Sequence, residues 1–266
     1  MKKYWHIVVV GVQNTLVYRA NFFFRALFNL VPLLATVALW RAIFDGHQGL
    51  VGGFTLAQMI SYYVMVTIVD ALTSVTEDDW QMAADIKDGQ ISQFLTKPID
   101  YLHYRLCLFL SGRLVYSVAA LGPVAVFILM HREYLLAPPD LGTFACFVLS
   151  LGMAALLQFL LSYLVAMLAF WVLEISSFIF ILLAFERLAS GQMFPLNILP
   201  PMVEKALYFT PFPYQMFFPA SIYLGGMTGT ALAHGLLVQA IWVVGCYGLA
   251  RLVWRQGLKT YAAVGG

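Results

Sequence analysis

The chain has 266 residues, 62% of them hydrophobic and only 11% charged, with a formal net charge of +2. Soluble domains carry roughly 25% charged residues, so at a mean hydropathy of +0.83 a water-soluble fold would leave far too much apolar surface wet. The small net charge, with no basic patch interleaved with aromatic residues, argues against a nucleic-acid partner.

The composition predicts an all-α integral membrane protein, and the elements follow in chain order. Lys2 and Lys3 resemble the start of a secretion signal, but "IVVVGV" runs into Gln13 and Asn14 with no small-residue cleavage site. Trp5, Val8, Val9, Val12 and Leu16 share one helical face, which predicts an interfacial helix over 1–21; the alternative is a polar-flanked extension of the first span. Six spans are expected, over about 22–44, 56–76, 106–130, 143–173, 175–190 and 230–253. A membrane helix needs about 20 mostly apolar residues, and the stretches 143–173 and 206–250 contain no Asp, Glu, Lys or Arg at all. Arg25 and Arg41 sit near the ends of the first span, where they can snorkel.

An even number of spans puts both termini on one side. That side collects Lys2, Lys3, Arg19, Lys87, Lys97, Arg105, Arg251, Arg255 and Lys259, against Arg132 and Lys205 on the other, with Arg41 and Arg187 near span ends. The basic excess marks it as cytoplasmic. No internal repeat is visible, which counts against a secondary transporter built from inverted halves.

Two segments break the apolar pattern. The first, 77–105, contains "EDDWQMAADIKDGQISQFLTKP". Asp78 and Asp79 suit a helix N-terminus, Asp88-Gly89 is a turn signal, and Pro98 ends a second short helix. Ile91, Phe94 and Leu95 form one apolar face. Membrane-surface helices are usually rich in Lys and Arg, whereas this one carries Glu77, Asp78, Asp79, Asp85 and Asp88. It reads as a helix that docks on a cytoplasmic partner, with rest on the lipid headgroups as the alternative. The second, 191–229, holds Pro195, Pro200, Pro201, Pro211, Pro213 and Pro219, six of the chain's eleven prolines. No continuous span survives that density, yet the segment is too apolar for a wet loop. Short re-entrant helices at the outer face fit, against a loop lying on the membrane surface.

Signals of catalysis are missing. "GLKT" at Gly257 lacks the glycine spacing of a phosphate loop, His6, His47, His103, His131 and His234 are scattered, and Cys107, Cys146 and Cys246 stand singly. No catalytic, cofactor-binding or metal residues are assigned. Ionisable groups inside spans remain as candidates for function. Asp70 and Arg113 fall at similar depth, either as a gate near the cytoplasmic mouth or as a fixed salt bridge. Glu186 and Arg187, adjacent in the fifth span, point in different directions, one toward a translocation path and the other toward headgroups. The many Phe, Tyr and Met residues of the spans read as packing and lipid contacts.

At this point the chain resembles the permease subunits of type 2 ABC exporters. The connection after the second span carries Ile86, Gly89, Ile91, Leu95 and Pro98 in an I-x-x-G-x-I-x-x-x-L-x-x-P pattern. The segment after the fifth span is similar to the family's outer motif at Gly191, Phe194, Pro195, Leu196, Leu199 and Pro200, then Pro211 and Phe212, with Pro213-Tyr214 one position late. The tail "GLKTYAAVGG" also resembles a family ending. The resemblance implies a single permease domain that pairs with a second permease, as a homodimer or heterodimer, on two ABC ATPase subunits that bind ATP and magnesium. It implies that Ile86, Gly89, Ile91, Phe94, Leu95 and Pro98 form a coupling helix docked on the ATPase, and that 191–229 gates the outer exit. Expected location is the bacterial inner membrane, and the expected substrate is amphipathic or hydrophobic. The other readings are a membrane scaffold or assembly factor using the same polar segment, and a proton-coupled transporter using Asp70.

Overall fold

Asp100 and Asp140 each begin a long apolar helix by accepting a hydrogen bond from a backbone amide three residues on, that of His103 at 3.1 Å and of Thr143 at 2.9 Å. A capping box does the same for a third: the Gln58 amide donates to the Thr55 hydroxyl at 3.2 Å, and the Thr55 amide donates to the Gln58 side chain at 2.9 Å. The computed structural model describes residues 2–261 apart from 18, 29, 47–49, 76–77 and 173, without the side chains of Arg19, Phe22, Asp78 and Asp79. Glu77, His47 and the last five residues of the tail motif therefore lie outside the described residues. The described chain is helical: α1 (Lys2–Val17), α2 (Arg19–Phe28), α3 (Leu30–Asp45), α4 (Leu56–Thr73), α5 (Asp78–Lys87), α6 (Ser92–Leu95), α7 (Tyr101–Met130), α8 (Leu141–Ala166), α9 (Ser176–Ala189), α10 (Pro201–Leu207), α11 (Phe217–Tyr223) and α12 (Gly229–Thr260).

Among the described residues, five helical stretches are long and apolar enough to cross a membrane: Phe23–Asp45, Leu56–Thr73, Tyr101–Met130, Leu141–Phe170 and Gly229–Thr260. They match five of the six expected spans. The third starts earlier than 106 because the Asp100 cap lets the helix begin in the polar segment, and α12 continues past 253 to Thr260. α4 is the central mast, with Met59, Val64 and Val69 fully buried against α3, α7, α8 and α11.

The remaining expected span, the fifth at 175–190, forms as α9 with nearly those bounds but is too short to cross alone. α9 has 14 residues, or about 21 Å at 1.5 Å per residue, against a hydrocarbon core of about 30 Å. It starts beside Ala83 of α5, where Ile175 and Ile179 pack. It stops opposite the middle of α4, where the Tyr62 hydroxyl donates to the Gly191 carbonyl at 2.6 Å and the Tyr63 hydroxyl to that of Met193 at 2.7 Å. Gly191 turns the chain at φ +86°, a conformation only glycine adopts freely. The prolines then break the path into short pieces: α10, a 3-10 turn at Phe212–Tyr214, and α11, whose Phe217, Phe218, Ala220 and Ile222 are buried. Gln239 of α12 seals this segment from behind, donating to the Ser150 and Tyr214 carbonyls at 2.9 Å each while accepting from the Ser150 hydroxyl at 2.9 Å. The chain reaches the opposite end of the bundle at Gly225, which lies against Pro139. The fifth passage is thus made by α9 to α11 together.

α1 lies along the first turns of α7, where the Ser111 hydroxyl donates to the Val8 carbonyl at 3.1 Å. The expected apolar face is divided. Val8, Val9 and Val12 are half-buried, while Trp5 and Leu16 project outward.

Candidate functional site

Two regions gather the polar residues. The first is the α5–α6 segment. α5 leads into a turn at Gly89, with φ +73°, and the Ile91 amide reaches back to the Asp85 carbonyl at 3.2 Å. This folds α6 onto the start of α7. The Phe94 ring packs against Tyr101 and Tyr104, with centroids at 5.1 and 4.8 Å, and Tyr101 stacks on Trp254 of α12 at 4.9 Å. Ile86 and Ile91 are buried and only Leu95, 54% exposed, turns outward. The face expected from Ile91, Phe94 and Leu95 is therefore split: aromatic rings on α7 draw two of its members inward. What faces outward at the tip is Lys87, Asp88, Gln90, Gln93, Leu95, Thr96, Lys97 and Pro98.

The tip is fastened at several points. Asp85 of α5 pairs with Arg105 of α7, accepts from the Tyr101 hydroxyl at 2.7 Å, and Arg105 also donates to that hydroxyl at 3.0 Å. Asp100 pairs with Arg251 of α12 and with His103 at 2.7 Å. Burial pushes the Asp100 carboxyl up, but hydrogen bonds from Arg251 and His103 outweigh it and hold the group below the ordinary aspartate value. Lys3 of α1 donates to the Pro98 carbonyl.

The second region is a cavity of about 640 Å³ between α2, α3, α4, α7, α8 and α9, extending to Gln192 and Met216. It brings together Asp70, Glu186 and Arg187. Glu186 and Arg187 were expected to diverge, but both line it, because the cavity wraps the end of the short helix that carries them. Asp70 accepts from the Gln192 side chain at 3.2 Å, and Arg113 donates to the Ser74 hydroxyl at 3.2 Å and lies over the Tyr116 ring at 4.9 Å. Asp70 and Arg113 are not a salt-bridged pair among the described residues, so the fixed bridge between them is not formed, although Arg113 remains a charged neighbour of Asp70. The residue that sequence reading missed is Arg25: it lines the cavity and sits 6.0 Å from the Tyr116 ring. Its position near a predicted span end suggested snorkelling, and only the packing of α2 on α7 turns it toward the cavity. Gln158 and Ser162, one turn apart on α8, also line the cavity. Nothing in an uncharged run distinguished them.

The four prolines singled out in 191–229 punctuate the broken passage. Pro195 precedes the 3-10 turn Leu196–Ile198, Pro200 precedes α10, and Pro211 and Pro213 flank and enter the turn before α11. No three His, Cys, Asp or Glu side chains come together in a metal-holding group among the described residues.

A family model described as an ABC-2 family transporter protein matches residues 30–265. No curated protein matches the chain. The matched stretch takes in α3 to α12, with the α5–α6 segment, the broken fifth passage and all of the cavity lining except Arg25 and Ala26, and the chain belongs to the ABC-2 family of transporter membrane proteins.

Proposed function

We propose that this multi-pass membrane protein, the permease subunit of an ABC transporter, forms half of an export pore driven by ATP hydrolysis on a separate ATPase. The observation that carries the reading is the fastened tip at α5–α6. An exposed segment tied to α7 through Asp85–Arg105 and to α12 through Asp100–Arg251 transmits a push to two long helices at once. A ligand drives a conformational change only by interacting differently with two states. An ATPase pair that closes on ATP and magnesium beneath this tip supplies that difference. Ile86, Gly89, Ile91 and Phe94 set the shape of the tip, while Leu95 and Pro98 present it.

The open side of the cavity is closed by a second permease, a copy of this chain or a related one, and alternating access exposes the cavity first to one side and then to the other. The broken passage around Pro195, Pro200, Pro211 and Pro213 gates the outer exit. The basic excess puts the α5 end and both termini in the cytoplasm, with the bilayer being a bacterial inner membrane. Leu95→Asp, which changes an exposed side chain, is expected to weaken co-purification with the ATPase at least about tenfold, as for an interface hot spot, while insertion into the membrane persists. Undiminished co-purification would overturn the docking assignment. Phe94→Asp is a poorer test, since it strikes packing on Tyr101 and Tyr104 as well.

A further inference from the structure

The tail motif that begins at Gly257 lines no part of the cavity and joins none of the tip's ion pairs, yet its last described residue, Tyr261, reaches the tip. The Tyr261 amide closes α12 on the Gly257 carbonyl at 3.0 Å, and the side chain runs from there to the turn between α5 and α6. Its hydroxyl lies over Gly89, 3.7 Å from where a β-carbon would stand. Its ring meets Phe170 edge-on, with centroids 6.0 Å apart and planes at 89°. Phe170 ends the 3-10 turn Met167–Phe170 that finishes α8. It presses on α12 so closely that a β-carbon at Gly257 would collide with its ring, and it meets Trp254 edge-on at 5.8 Å. Trp254 stacks on Tyr101, which packs on Phe94 of α6. The contacts close a circuit, from the Gly89 turn through Tyr261, Phe170, Trp254 and Tyr101 back to α6.

The ion pairs of the tip reach α7 and α12; the circuit adds the end of α8. That helix contributes to the cavity lining and binds Gln239 of α12 through Ser150. Ala83 of α5 also packs beside Val165 and Leu168 near the same end. Edge-on rings have a preferred geometry, which a plain apolar contact lacks, so the Tyr261–Phe170 pair fixes a position that the Ala83 contact leaves free to slide. The Tyr261 hydroxyl is enclosed and has no hydrogen-bond partner among the described residues, so it is the ring that holds the turn. We propose that Tyr261 is a positioning residue for the tip: its ring seats the Gly89 turn on Phe170, so that a push on the tip moves the end of α8 together with α7 and α12. The proposal rests on the permease reading and assigns one residue of its transmission path.

The test is amide hydrogen exchange of the full-length chain in lipid nanodiscs, first alone and then in complex with its ATPase. In the chain alone, Tyr261→Ala is expected to speed exchange about fivefold over residues 86–92 and 167–172, the scale of one ring contact, with exchange in the middle of α7 unchanged. Tyr261→Phe keeps the ring, drops the unbonded hydroxyl and is expected to match the parent. If Tyr261→Ala fails to insert, Tyr261→Leu, with bulk but no ring, decides. Unchanged exchange at both segments overturns the proposal. Acceleration along the whole chain overturns it too, by making Tyr261 a general stabiliser, as does a Tyr261→Phe that behaves like Tyr261→Ala. In the complex, ATP and magnesium are expected to alter exchange in α7, α12 and the end of α8. In Tyr261→Ala the change at 167–172 is expected to fall at least about threefold while those in α7 and α12 persist; an undiminished change at 167–172 overturns the route into α8. The first arm contains no ATPase and judges the seating of the turn whatever becomes of the complex, whereas co-purification depends on Leu95, which these variants leave intact.

Discussion

Asp85 and Arg105 carry opposite charges largely out of water, with side-chain exposures of 14% and 6%. Removing one partner of such a pair leaves the other uncompensated, at a cost of about 3 kcal/mol. Asp85→Ala is therefore expected to lower the thermal unfolding temperature of the purified protein by several degrees, with Asp85→Asn intermediate because it keeps an acceptor for Tyr101. Neither residue stood out in the sequence as half of a pair. Asp85 read as one of five acids on a partner-binding segment, and Arg105 as one of nine basic residues on one side. Twenty residues of chain separate them, and it is the Gly89 turn that returns α6 and α7 to α5. The same turn explains why Ile91 and Phe94, legible as one apolar face, face α7 instead of water.

At the scale of elements, α9 decides the character of the molecule. Composition does not record that the broken segment after it completes the passage, although the run 175–190 matches α9, Ser176–Ala189, to within one residue at each end. Its end is set by Gly191 and by two tyrosines on a different helix. The Tyr62 hydroxyl is the donor for the buried Gly191 carbonyl, so Tyr62→Phe leaves that carbonyl unpaired at a cost of about 1–3 kcal/mol. Faster amide hydrogen exchange over residues 190–195, with exchange in α12 unchanged, is the expected result. The density of prolines did announce a broken segment. It could not announce that the break lies against the middle of α4, and irregular backbone at such depth is tolerated where protein or a cavity covers it.

At the scale of the whole molecule, the α5 end is held together across long sequence distances by Asp100 and Arg251. Asp100's pKa is lowered in the folded state. Its contribution to stability is therefore present above the unfolded aspartate value of about 3.9 and is lost as pH falls through the folded value. Asp100→Asn is expected to lower the unfolding temperature at pH 7. The gap between variant and parent should hold down to about pH 5 and close as pH drops below about 4; a gap that persists in acid would show that Asp100 acts through shape and not charge.

The sequence by itself determined the membrane class, five of the passages and the helix–turn–helix form of the polar segment, as well as the family motifs. Each of these is local: a run of apolar residues too long for water, a glycine or proline that breaks a helix, a short pattern of side chains. Tertiary structure alone decided which way side chains face and which distant charges meet. It made the fifth span only the first part of a broken passage, split the Ile91–Phe94–Leu95 face, gave Asp70 and Arg113 hydrogen-bond partners other than each other, and brought Arg25, Gln158 and Ser162 into one cavity with Glu186 and Arg187. Those outcomes depend on the rotation and depth of each helix against its neighbours, which follow from packing between residues far apart in the chain.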